Sequence, residues 1–97
     1  MIEKTLTIQN ERGMHVRPCT AFASLANRFN CDIFVLHHGD RFRGKTSMNL
    51  LSAWIQEGDE ITIVCNGSDE SEAMAALLAL IASDFNDDSV RTLPKNA

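Results

Sequence analysis

The stretch Gly13-Met14-His15-Val16-Arg17-Pro18 constrains this chain more than any other, because one hydrophobic period gives way to another there. Before it, Ile2, Leu6 and Ile8 share one parity, and Glu3, Thr5 and Thr7 share the other. That alternation is a strand with one buried face. After it, Cys19, Phe22, Ala26 and Phe29 recur at helical steps, which predicts a helix over about Val16 to Arg28. Pro18 fits the first turn, where its missing N–H would lack an intrahelical acceptor anyway. Arg17, preceding proline, is biased away from helical angles, so the helix start is open by a residue or two.

His15 therefore sits at a strand-to-helix turn. The first N–H groups of a helix have no internal acceptor, and together with the helix dipole they attract an anion. Imidazole is nucleophilic near neutral pH. A nucleophile beside an anion-binding helix start points to a histidine that accepts a phosphoryl group. Arg17, two residues on, offers a planar fork that matches phosphate oxygens.

The rest of the chain continues the two periods. Cys31, Ile33 and Val35 mark a second strand to His37, and His38-Gly39-Asp40 reads as a turn with Gly39 free to take positive φ. Arg41 to Arg43 is a short third strand. Met48, Leu51 and Ile55 give a short second helix ending before Gly58, and Ile61, Ile63 and Cys65 a fourth strand. Ser68 or Asp69 is placed to cap a third helix, Asp69 with Glu72 at capping-box spacing. Its apolar face is Met74, Leu77, Leu78, Ile81 and Phe85. The strands alternate, so helices must cover one sheet face, and periodicity alone gives an α+β sandwich. Residues 86–97 are polar and charged with one proline, and are expected to form a frayed tail.

Gly-Met-His-Val-Arg-Pro resembles the active-site motif of the histidine-containing phosphocarrier (HPr) family of the bacterial phosphotransferase system. The usual pattern is Gly-x-His-Ala-Arg-Pro, so Val16 departs from it. Gly44-Lys45-Thr46-Ser47-Met48 falls where the family has a second signature, usually Lys-Ser-Ile-Met or similar, and Ser47 and Asn49 depart there. The resemblance covers about residues 1–85, taken as one domain. It implies an open-faced β-sandwich: four mainly antiparallel strands in the order 1-4-2-3, covered on one side by three helices.

It also implies roles. His15 would become a phosphohistidine, at Nδ1, and Arg17 would stabilise the phosphoryl group. The donor would be phosphoenolpyruvate-dependent enzyme I, and the acceptor the A component of a sugar phosphotransferase system. The chain would be a relay intermediate rather than an autonomous enzyme, monomeric and without a cofactor. Thr46 takes the position of a regulatory serine modified by an HPr kinase, with Ser47 second in line; either hydroxyl could equally cap the helix. Met48 and Leu51 are candidates for partner docking, although the same spacing also suits burial. The second reading is a regulatory module, such as a nitrogen-type paralogue or catabolite co-regulator, whose phosphorylation state controls partner binding.

The remaining composition narrows the classes. A net charge of −4 argues against a nucleic-acid binder. No apolar run reaches membrane-spanning length, and the first residues lack the pattern of a signal peptide, so a cytoplasmic location is expected. The basic residues Arg12, Arg17, Arg28, Arg41, Arg43 and Lys45 precede an acidic last third, which suits an acidic partner or ordinary solvation. Cys19, Cys31 and Cys65 have no zinc or disulfide spacing and fall on apolar positions, with an activated Cys19 thiol as the minor alternative. His37 and His38 are adjacent strand residues that should point to opposite faces, so they are expected to be surface histidines, and no metal site is expected.

Overall fold

The computed structural model describes residues 1–85; the expected tail at 86–97 lies outside the described residues. The elements in chain order are β1 (Ile2–Thr7), α1 (Val16–Ala26), β2 (Asp32–His37), β3 (Asp40–Arg43), α2 (Ser47–Leu51), β4 (Glu60–Asn66) and α3 (Glu70–Ala82). The strands form one sheet in the order β1-β4-β2-β3, every neighbouring pair antiparallel.

Register explains which side chains are buried. Leu6 stands opposite Ile61, while Ile33 and Val35 stand opposite Cys65 and Ile63. That parity supplies Ile33, Val35, Ile61, Ile63 and Cys65 to the core, where Phe22, Leu25, Leu50, Leu77 and Leu80 of the helices meet them. The other parity carries Glu3, Thr5 and Thr62, and the Thr5 and Thr62 hydroxyls lie 2.8 Å apart across the strands. The sheet is thus covered on one face only, as the strand alternation requires.

Helix ends differ from the sequence expectation for local reasons. The second helix stops at Leu51, because Trp54 takes φ +56 and reverses the chain; Ile55 is still buried, but from the loop. Phe85 likewise reaches the core after the end of α3, with its N–H on Leu80 O at 2.8 Å. Asp69 is the N-cap residue of α3, but its side chain makes no capping bond. The carboxylate instead accepts the Asn30 and Cys31 N–H groups, at 2.8 and 2.9 Å. The expected capping box with Glu72 is therefore not formed, and a carboxylate that crosses the fold to hold the start of β2 takes its place.

The β2–β3 turn falls where expected, with Gly39 at positive φ, but the two histidines beside it do not lie as expected. His38 and Gly39 have φ of +52 and +83, a two-residue hairpin with both central residues left-handed. His38 is thus outside the strand, and the rule of opposite faces does not apply to it. Its ring stacks on His37, centroids 3.9 Å apart. His37 is 5% exposed, a buried histidine rather than a surface one, with Nε2 3.0 Å from Asp59 Oδ2.

Candidate functional site

His15 is the N-cap residue of α1, with extended backbone, and is half-buried. The first intrahelical acceptor is His15 O itself, which receives the Cys19 N–H at 3.1 Å. The N–H groups of Val16 and Arg17 precede that bond, and Pro18 has none to offer. Proline therefore sets the helical φ of the first turn and leaves two donors for an outside acceptor. The His15 side chain makes no capping bond to them, so its ring is not spent on its own helix.

The turn before His15 is clamped on three sides. Asn10 donates its side-chain N–H to Gly13 O at 2.6 Å. Met14 N–H reaches Ile55 O at 2.9 Å, and Met14 O receives the Cys19 thiol at 3.2 Å. Gly13 has φ +62, and a Cβ there would lie 2.4 Å from Ile55 O and 2.5 Å from Gln56 Cα. Only glycine allows this approach, which explains the first residue of the motif.

Cys19 is a core residue: it is 1% exposed, and burial pushes its thiol up to about 11. A thiol so raised is not the nucleophile of this turn. Cys31 and Cys65 are also buried and unpaired with each other.

Beside His15 lies an open groove of ≈ 490 Å³, lined by Arg12, Met14, His15, Val16, Leu51, Trp54, Ile55, Gln56 and Glu57. Arg17 is exposed but is not among these lining residues. Val16, Met48 and Trp54 are 63%, 76% and 78% exposed, far beyond what core residues of their size show. Leu51 is half-buried. A smaller hollow between α1 and α2 is lined by Val16, Cys19, Thr20, Ser47, Met48 and Leu51, so these two helices bring the apolar residues to the side of His15. Of the two docking candidates, Met48 is thus open to solvent while Leu51 serves both groove and core.

Thr46 and Ser47 separate in space. Thr46 is exposed and is the N-cap of α2, but its hydroxyl makes no capping bond. It lines a groove with Arg41, Arg43 and Lys45. Ser47 is half-buried and faces the hollow against α1. Asn49 accepts the Arg43 N–H at 2.7 Å, so this departure from the second signature ties α2 to β3.

Trp54 is the residue that sequence reasoning passed over. It falls three places after Leu51 and so extends the same helical stripe; only the chain reversal turns it out of the core and onto the groove rim.

A family model described as the PTS HPr component phosphorylation site matches residues 2–83. The chain belongs to the HPr family. The HPr-like protein Crh of Halalkalibacterium halodurans is 38% identical over 84 residues, which is 87% of this chain and 100% of that protein. HPr from Thermoanaerobacter tengcongensis superposes with a TM-score of 0.85 at 33% identity, over 90% of this chain and 98% of that one. Crh of Bacillus subtilis, described as a domain-swapped dimer, gives 0.69 at 31% identity, over 86% and 95%. The open-faced HPr sheet and its three helices are therefore the fold of this chain. No helix among the described residues is long and apolar enough to cross a membrane.

Proposed function

We propose that the chain is a phosphocarrier, with His15 as the residue that takes and gives the phosphoryl group. The observation that carries this reading is the half-buried His15 ring at a helix start whose Val16 and Arg17 N–H groups have no intrahelical partner. A ring nitrogen, Nδ1 by family resemblance, bonds to phosphorus as the bond to the donor breaks. The charge then lies on three phosphoryl oxygens, which the two N–H groups and the Arg17 fork are suited to receive. The groove rimmed by Val16 and Trp54, together with exposed Met48 in the adjoining hollow between α1 and α2, is read as the docking face for enzyme I and for the A component of a sugar phosphotransferase system. The chain is read as a cytoplasmic monomer without a cofactor, its phosphohistidine an intermediate in a relay rather than the centre of an autonomous enzyme.

The test is incubation with enzyme I and phosphoenolpyruvate, followed by addition of an A component. Acid-labile phosphate should appear on the parent, pass to the A component, and be absent from His15→Ala. Label retained by His15→Ala would overturn the assignment.

A regulatory reading is favoured by one further observation: Thr46 carries a free, exposed hydroxyl among Arg41, Arg43 and Lys45, and relatives of this chain are named Crh. Phosphate on Thr46 would add about −1.5 to −2 charges beside Arg41 and Arg43 and close to Met48, with which Thr46 shares a shallow hollow. An HPr kinase should then modify Thr46 in preference to half-buried Ser47. Thr46→Glu should slow His15 phosphorylation more than Ser47→Glu does, and salt should narrow the gap. Rates equal to the parent for both variants, with neither hydroxyl modified, would leave only the carrier.

A further inference from the structure

The β2–β3 corner, which meets Asp59, holds a cluster that phosphotransfer does not use. A ring nitrogen of His37, a ring nitrogen of His38 and a carboxylate oxygen of Asp59 lie within 4.8 Å of one another. We propose that these three side chains form a binding site for a divalent transition-metal ion of the zinc class.

Three features carry the assignment. Two imidazole nitrogens and one carboxylate oxygen are a borderline donor set, suited to Zn(II) or Cu(II) rather than to calcium or magnesium. Two of the three donors are already placed, because His37 Nε2 and Asp59 Oδ2 are 3.0 Å apart and His37 is locked by burial. Asp59 is itself oriented by the Gln56 N–H, which reaches Oδ2 at 2.9 Å. Both of these hydrogen bonds end on Oδ2, and Oδ1 takes part in neither.

The third donor is the adjustable one. Donor atoms around tetrahedral zinc are about 3.3 Å apart, given bonds of about 2.0–2.1 Å. The His38 ring is stacked on His37 at 18°, so to aim a nitrogen at the same ion it must turn out of the stack, and its exposure leaves it room to do so. The left-handed hairpin is what makes this geometry available: with φ +52 the His38 ring lies over His37, whereas regular strand alternation would send it to the other face. The exposed side of the site leaves a fourth position to water. An ion there would also pull on the oxygen that holds Gln56, a residue of the His15 groove.

The test uses the full chain with zinc chloride, followed by calorimetry and backbone amide NMR. One ion should bind per chain, with the largest shifts at His37, His38 and Asp59 and a further shift at the Gln56 amide. His38→Ala removes an exposed ring and leaves the fold intact, checked by its unchanged melting without metal. It should weaken binding at least about tenfold, the lower range for disturbing a metal site. His15→Ala should bind zinc as the parent does. The proposal is overturned by absence of binding, by affinity unaltered in His38→Ala, or by loss of binding in His15→Ala.

Discussion

Gly13 and Ile55 approach so closely that a methyl group on the glycine would lie 2.4 Å from the carbonyl oxygen of the isoleucine. The same carbonyl receives the Met14 N–H at 2.9 Å. The turn that presents His15 is therefore built against the loop after α2, and the two segments are positioned as one. Gly13→Ala must adopt φ +62 and displace backbone. Urea denaturation should show a loss of about 2 kcal/mol or more. Phosphoryl uptake should fall even below the denaturation range, because the His15 backbone is displaced.

Arg17 is exposed, so its replacement should act on transfer and not on folding. Arg17→Lys keeps the charge and loses the fork. Transfer from enzyme I should slow on the order of tenfold, with the urea midpoint unchanged. Equal rates would show that Arg17 does not meet the phosphoryl group.

Trp54 combines φ +56 with 78% exposure, a conformation that glycine adopts freely and a bulky residue does not. Trp54→Gly should stabilise the fold by about 1 kcal/mol through relief of that strain. It should at the same time weaken docking at the His15 groove. Because Trp54 is the single tryptophan of the chain, its fluorescence in the parent reports on that groove directly and should change on addition of enzyme I.

The Asn30 N–H, together with the other hydrogen bonds at the carboxylate, holds Asp69 below the usual carboxylate range. A carboxyl group depressed in the folded state contributes stability above its unfolded pKa, and that contribution disappears as pH falls through the folded value. Asp69→Asn should therefore melt below the parent at pH 7, with the gap closing as pH drops below about 4. Asp59 and Glu70, held low in the same way by the Gln56 and Gly67 N–H groups, remain in both proteins and set their common acid limit. A gap independent of pH would mean that the Asp69 charge is not what holds β2.

The sheet and its one covered face were legible because Ile2, Leu6 and Ile8, and again Cys31, Ile33 and Val35, share one parity, although exposed Lys4 interrupts the first series and half-buried Phe34 sits on the other parity of the second. The placement of His15 was legible because proline and glycine are local signals: one sets a helix start and the other allows a close approach. What stayed hidden depends on left-handed residues without glycine. Nothing in Trp54 announces a positive φ, and the turn expected at His38 did not show that His38 itself would take one, yet these two reversals shorten α2, turn an aromatic outward and fold one histidine over another. Asp69 was placed correctly in the chain and wrongly in space, since a carboxylate beside a helix start has the same sequence whether it caps that helix or reaches a strand 38 residues away.

The pairing of β1 with β4 carries a consequence for how the molecule comes into being. Ile2 faces Cys65 and Thr7 faces Glu60, so the first strand made is completed by the last. The His15 turn hangs from that same closure: Ile8 donates to Asp59 O and accepts from the Gly58 N–H, and Met14 donates to Ile55 O. During synthesis the histidine emerges early with only the local bonds from Asn10 and Cys19, and the carbonyl that receives the Met14 N–H arrives with the loop before β4. A truncated or nascent chain thus carries His15 without the long-range contacts that fix its turn, and the turn is complete only once the segment from Ile55 through β4 is in place.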